Sequence, residues 1–378
     1  MFETAGLMKS LRDAMHARAA EGRVPADSDA KIEPGQRIAG PRRGGAAVSP
    51  ADDGFHFADY ADHSHKLFYV EWWYYNLVDP ATGLSAMVTY AVVNPGDELG
   101  LGVASLNCAA MTPDGAETTK IDFMRSEKNF TASSTNADVT LGHSSVTCLD
   151  DGTYHVKAAS ADGGIAMDLT FERTARSQLL ADNVPGYSAW EVSSWLVYMP
   201  AAKVTGTVTV DGKVHQITDA KGYHDHDWGM WMLPERIWSW AQFSSEDHRI
   251  AFDVGFHAAF QKSTAYMGVG DLDLYFPQEK FSVKQADWKT WTEFWTYPTH
   301  MTFTAVDETG RYRLDLEWRV TATSTLWKYP LIVFEQAADY AGTLNEIDPA
   351  TGAVIRVVET IGERGFCEFT NRWIGGHD

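Results

Sequence analysis

The dominant rhythm of the chain is a period of two. Arg311 to Val320 (RYRLDLEWRV) sets Tyr312, Leu314, Leu316, Trp318 and Val320 on one face and charges on the other, the alternation of a half-buried β-strand. Lys203 to Val210 (KVTGTVTV) places Val204, Val208 and Val210 opposite a row of threonines. Asp211-Gly212 then turns the chain into Lys213 to Ile217, which predicts a two-residue hairpin. Asp-Gly recurs at Asp114-Gly115, Asp151-Gly152 and Asp162-Gly163, and Asp-Pro-Ala-Thr-Gly occurs at Asp79 to Gly83 and again at Asp348 to Gly352. In such turns Pro presets φ and Gly accepts a positive φ. Short strands separated by regular turns predict an all-β fold of sandwiches or barrels, and barrels leave no open edge. A helical period shows only near the N-terminus, where Leu7, Met8, Leu11 and Met15 predict a short amphipathic helix. That helix would lie against the body of the protein or, at most, touch a membrane peripherally. Glu33 to Asp53, rich in Gly, Pro, Arg and Ala, reads as a linker or lead-in.

Composition narrows the class. A chain of 378 residues exceeds the usual size of one core, so two domains are expected. The net charge of -20, with no long basic run, makes nucleic acid a poor partner. Cys108, Cys148 and Cys367 are odd in number and far apart, which suits a reducing compartment rather than a disulfide framework. The start carries no signal-like apolar run and no segment reads as a transmembrane helix, so a soluble, cytoplasmic protein is expected.

Two stretches carry the candidate chemistry. Glu71-Trp72-Trp73-Tyr74-Tyr75-Asn76, as a strand, puts Glu71, Trp73 and Tyr75 on one face and Trp72, Tyr74 and Asn76 on the other. Both faces need cover, so these aromatics plug a barrel end or line a cavity. In Lys221-Gly222-Tyr223-His224-Asp225-His226-Asp227-Trp228-Gly229, His224, His226 and Trp228 share one face, and Tyr223, Asp225 and Asp227 the other. Two histidines at i, i+2 beside carboxylates suit a metal or a hydrogen-bonded network in which each Asp orients an imidazole. No His-x-x-x-His or Cys pair supplies a third ligand downstream, and no metal is expected. Arg249 to His257 (RIAFDVGFH) points Ile250, Phe252, Val254 and Phe256 one way, and Asp253 and His257 the other, between the small residues Ala251 and Gly255. Small neighbours suggest open space above Asp253. In a barrel lumen, desolvation would raise its pKa and keep it a proton donor near neutrality.

Glu-Trp-Trp-Tyr early in the chain, Trp195-Leu196-Val197-Tyr198-Met199-Pro200 before the hairpin, and Gly-Tyr-His-Asp-His-Asp-Trp-Gly after it resemble the hydroxyneurosporene synthase (carotenoid 1,2-hydratase) superfamily of lipocalin-like proteins. The resemblance spans roughly Phe57 to Trp373 in layout. It implies two consecutive lipocalin-like antiparallel β-barrels: residues 1–53 as helix and linker, 54–234 as the first barrel and 235–378 as the second. The superfamily includes relatives of fungal Diels–Alderases, and its members act on apolar polyenes or polyketides without metal or organic cofactor. Carried over, the hydratase motif implies roles for His226, Trp228 and Asp253; Ala251 stands where the motif has Tyr.

The resulting expectation is a cofactor-independent enzyme that protonates an apolar unsaturated terpenoid, carotenoid or polyketide, giving hydration or cyclisation. Asp253 is the expected acid, tuned by His226, which Asp225 or Asp227 would hold; His224 completes the array. Trp228, Trp73 and Trp240 would face a developing cation. Glu71, Tyr75, Tyr223, Trp195, Trp238 and His257 would complete the pocket wall. The alternatives are a carrier of an apolar ligand without catalysis and a metal-dependent hydrolase built on His224 and His226.

Overall fold

In the computed structural model, residues 48–186, 188–232, 238–257, 264–292, 295–328 and 331–372 are described. The helix expected around Leu7 to Met15 lies outside the described residues. Short 3-10 turns at Pro50–Asp53, Phe57–Asp59 and Lys66–Phe68 lead into the first sheet. Its strands are β1 (Tyr69–Val78), β2 (Ser85–Val93), β3 (Val103–Met111), β4 (Glu117–Arg125), β5 (Phe130–Ala132) and β6 (Val139–Leu141). They continue with β7 (Ser144–Asp150), β8 (Thr153–Ala159), β9 (Ile165–Arg173), β10 (Gln178–Pro185), β11 (Val192–Val210) and β12 (Lys213–Met230). The order is β4-β3-β2-β1-β12-β11-β9-β8-β7-β6-β5, with β10 also on β11, and the sheet curls into a nearly closed barrel.

The second sheet comprises β13 (Trp238–Ser244), β14 (Ile250–His257), β15 (Thr264–Val269), β16 (Leu272–Pro277) and β17 (Phe281–Ala286). After a separate pair, β18 (Lys289–Thr292) and β19 (Trp295–Tyr297), come β20 (His300–Val306), β21 (Tyr312–Lys328), β22 (Leu331–Ile347) and β23 (Val354–Arg372). Their order, β16-β15-β14-β13-β23-β22-β21-β20-β17, makes a curled half-barrel.

Local chemistry explains these elements. Asp211 and Gly212 both take positive φ, 48° and 81°, as a tight hairpin of right-twisted strands requires. Gly83 and Gly352 close the two Asp-Pro-Ala-Thr-Gly turns at φ 72° and 70°. At Gly206, where the β11–β12 register shifts, φ is 132° and a Cβ would fall 2.1 Å from the Asp168 carbonyl oxygen. That bulge bends the long hairpin so that its two halves serve different parts of the barrel.

Packing forms three apolar layers. Trp73, Tyr75, Tyr90, Tyr154 and Phe171 fill the first barrel, and Phe243, Phe252, Phe303, Trp318 and Tyr340 fill the half-barrel. Between the sheets lies a third layer containing Tyr74, Trp195, Tyr223, Trp240, Tyr266 and Phe366. Strands β1, β11 and β12 are therefore covered on both faces, which is why residues 71–76 are aromatic on both. Polar ties cross the same seam: the Tyr74 hydroxyl donates to Glu335 Oε1 (2.7 Å), Gln242 Nε2 donates to Asn76 Oδ1 (3.1 Å), and Lys221 Nζ lies 2.9 Å from Glu363 Oε2. Among the described residues no helix is long and apolar enough to cross a membrane.

Candidate active site

Alternation along β12 sends His224, His226 and Trp228 into the first barrel and Tyr223, Asp225 and Asp227 toward the seam. Two polar arrays result, back to back across one strand.

The inner array gathers around two carboxylates. His224 Nδ1 donates to the Tyr74 carbonyl oxygen (2.9 Å), and its Nε2 is 2.9 Å from Asp53 Oδ2, which also accepts from the Tyr154 hydroxyl (2.8 Å). His226 Nε2 is 2.8 Å from Glu71 Oε1, while its Nδ1 lies 3.2 Å from Asp53 Oδ1, out of line for a hydrogen bond. Glu71 accepts further bonds from the His56 backbone N–H (3.0 Å) and from the Tyr69 hydroxyl. Rings brace the imidazoles: Tyr75 stacks on His224 (4.0 Å between centroids), Trp73 on His226 (4.5 Å) and Trp228 on His56 (3.9 Å). Burial opposes charge on every member, but proximity wins. Asp53 is held well below the usual carboxylate range by His224 and His226, and Glu71 is held down by His226 and His56. Burial lowers His226, yet Asp53 and Glu71 outweigh it and lift the imidazole to about 9. At neutral pH His226 is a cation between two anions.

The seam array behaves in the opposite way. Asp225 Oδ2 accepts from the Tyr223 hydroxyl (2.8 Å) and Trp195 Nε1 (3.1 Å), and Asp253 Oδ1 accepts from Trp240 Nε1 (2.9 Å). Asp253 Oδ2 receives no hydrogen bond among the described residues. Tyr223 interacts with both Asp225 and Asp253. Among the described residues no cation pairs with Asp225 or Asp253, so burial dominates and raises both carboxyls well above their ordinary value. For Asp225 the charges of Asp227 and Asp253 add to the rise. Beside Trp240 lies a small recess lined among others by Met301, Trp318, Glu368 and Phe369.

The expected single pocket is thus divided. Glu71, Trp73, Tyr75, His224, His226 and Trp228 belong to the first barrel's interior, whereas Tyr223, Asp225, Asp253, Trp195 and Trp240 meet at the seam. Asp227 projects to the seam side of β12, and Trp238, which donates to Glu368 Oε2, stacks at 6.1 Å on Trp72. The side chain of His257 lies outside the described residues. The pairing of His226 with Asp225 or Asp227, and with Asp253, is corrected: neighbours on a strand face opposite sides, and Asp53 and Glu71 hold His226 instead. The open space expected above Asp253 is also corrected. A Cβ on Gly255 would fall 2.8 Å from Trp195, so the small residues admit an indole from the other sheet.

Sequence reasoning missed Asp53, His56 and Tyr154. Asp53 is the last residue of the segment read as a linker, and His56 stands just inside the expected first barrel, where Asp-Gly-Phe-His-Phe resumes the polar–apolar alternation. The turn at Pro50–Asp53 that presents Asp53 is set by a capping box between Ser49 and Asp52.

Comparisons with known proteins bear on the fold. A Nitrosomonas europaea protein assigned as AttH superposes with a TM-score of 0.61 at 17% identity, covering 89% of this chain and 100% of its own. Kievitone hydratase from Nectria haematococca superposes with a TM-score of 0.56 at 14% identity, covering 89% and 99%. At these identities the likeness establishes a shared lipocalin-like architecture. No curated protein matches the sequence. The family model described as a domain of unknown function, DUF7064, matches residues 56–346, which include the seam array and all of the inner array named above except Asp53; the chain belongs to that family.

Proposed function

We propose that this chain is a cofactor-independent hydratase acting on an apolar, unsaturated small molecule, with Asp253 as the acid. The observation that carries the reading is a fully buried carboxyl set among aromatic rings, where burial raises it well above its ordinary value. Its Oδ1 accepts from Trp240, and no cation pairs with it among the described residues, surroundings that favour a neutral acid over a carboxylate. The fold likeness to a hydratase supports addition of water as the outcome.

In the proposed reaction the Asp253 proton is transferred to one alkene carbon, leaving a carboxylate and a carbocation. Water attacks the cation, and the proton it releases returns to Asp253, so the net change is addition of one water. Tyr223, between Asp253 and Asp225, is placed to relay that returning proton. The π faces of Trp195 and Trp240 would stabilise the cation by about 1–2 kcal/mol each when desolvated. Capture of the same cation by an internal alkene would give a ring instead.

The test is incubation of the purified chain with terpenoid, carotenoid and polyketide alkenes in deuterated water, with product masses read by chromatography. One deuterium on carbon and one added water are expected, and Asp253→Asn should abolish turnover while folding and ligand binding persist. Full activity in that variant removes Asp253 from the mechanism. Tryptophan quenching by these ligands with no product from any of them replaces the enzyme with a carrier.

A further inference from the structure

We propose that His56, Glu71 and His226 form a binding site for one zinc-class divalent metal ion, closing the lead-in segment onto the mouth of the first barrel. One ligand atom from each of His56, Glu71 and His226 lies within 4.8 Å of the other two. Two imidazoles and a carboxylate are the donor set of borderline divalent ions such as Zn²⁺. In a tetrahedral site with bonds of about 2.0–2.1 Å, ligand atoms stand roughly 3.3 Å apart. His56 Nδ1 and Glu71 Oε1 already stand 3.3 Å apart, and His226 Nε2 and Glu71 Oε1, at 2.8 Å, need to open by only about 0.5 Å on the same estimate. A shared proton draws that second pair together; an ion in its place would spread it.

The surroundings are those of a supported metal site. Asp53 Oδ1 lies 3.2 Å from the other ring nitrogen of His226, out of line for a hydrogen bond but close enough that a small ring rotation would make the carboxylate–histidine–metal arrangement that orients a ligand and strengthens it. Tyr69 donates to the remaining oxygen of Glu71, and flat stacking on Trp228 fixes the His56 ring. Charge also favours the ion. Two carboxyl groups, those of Asp53 and Glu71, stand around the His226 ring, a complement to one divalent ion. His56 comes from the lead-in and the other two ligands from β1 and β12, so the ion would pin that segment across the barrel mouth. The site is on the face of β12 opposite Asp253 and separate from the proposed proton transfer. His224, turned toward Asp53, is not part of it.

Cobalt(II), and separately zinc, added to chelator-treated full-length protein at pH 8 tests the proposal. One equivalent of cobalt should give the intense visible absorption of a low-coordinate site; zinc should abolish that absorption and raise the Tm. His56→Ala, outside any strand, should remove both effects while circular dichroism stays unchanged. His155→Ala, at an exposed His–Asp pair, should retain both. Asp53→Asn should weaken zinc binding by about 10- to 100-fold. No cobalt absorption in the parent protein, or absorption that survives His56→Ala, overturns the site; the parent spectrum decides even where a variant fails to fold.

Discussion

Replacement of Asp253 by Asn should leave stability nearly unchanged at acidic pH and make the protein progressively more stable than its parent as pH rises. The amide reproduces the acid in place. Its Oδ1 can accept from Trp240, which now donates at 2.9 Å, and its Nδ2 takes the place of Oδ2, which has no hydrogen-bond partner among the described residues. The parent alone titrates. Burial raises the Asp253 carboxyl well above 3.8, whereas in the unfolded chain it ionises near that value. Above pH 3.8 the folded state therefore holds a proton that the unfolded state has released. The stabilisation from this group is complete below 3.8 and is lost as pH rises toward the folded-state value, at about 1.4 kcal/mol per pH unit.

Between pH 5 and pH 7 the variant should thus gain about 2.7 kcal/mol on the parent if the acid stays protonated throughout. Other titrating groups are common to both proteins and cancel in the difference. Urea unfolding at pH 5, 6 and 7, followed by tryptophan fluorescence and circular dichroism together, measures it. An infrared carbonyl band of a protonated carboxyl at pH 7, diminished in the variant, is the independent sign. Parallel pH profiles, or a variant that loses stability relative to the parent with rising pH, would show Asp253 to be ionised and refute the reasoning.

Asp53→Asn should behave in the reverse sense, destabilising by about 3–5 kcal/mol at pH 7, because it strips a carboxylate from the buried His226 cation. Its cost should shrink as pH falls below 3.8, where the parent's carboxyl begins to protonate in the unfolded chain, and denaturant titration at pH 7 and pH 3 checks both limits. Gly255→Ala places a methyl 2.8 Å from the Trp195 ring and should cost about 1–3 kcal/mol; Trp195→Phe in the same chain should recover part of it, a coupling that a double-mutant cycle reads. Tyr223→Phe should lower kcat by about 100-fold or more with KM held, since it removes the hydroxyl between Asp225 and Asp253 but little of the apolar wall.

What the sequence discloses is local. The period of two in residues 311–320 and the Asp211-Gly212 turn depend on neighbours along the chain, and they identify β21 and the β11–β12 hairpin directly. Face assignments follow from the same rule: Glu71, Trp73 and Tyr75 do point one way, and Tyr74 and Asn76 the other. Alternation does not say what lies beyond each face. The barrel interior and the seam are both apolar, so His226 and Asp253 looked like members of one pocket when a sheet separates them. Nor could spacing bring Asp53 to His224, 171 residues away, from a segment whose Gly and Pro content reads as linker. Ala251 and Gly255 carried a real signal with two physical meanings, room for a ligand or room for a neighbour, and Trp195 supplies the neighbour.

The two arrays show how one strand sustains opposite ionisation states. Residues 225 and 226 are adjacent, both buried, and subject to the same loss of hydration. On the inner face an imidazole lies between two carboxylates, so each group stabilises the charge of the next and all ionise. On the seam, indole and phenol donors meet Asp225 and Asp253 with no cationic partner among the described residues, and these neutral donors do not replace the water that a carboxylate loses. Burial alone therefore does not fix the state of these aspartates; the partner does. A lysine introduced beside Asp253 at the seam should convert the acid to a carboxylate and end its capacity to give a proton, whereas withdrawal of Asp53 and Glu71 together should return His226 to a neutral imidazole.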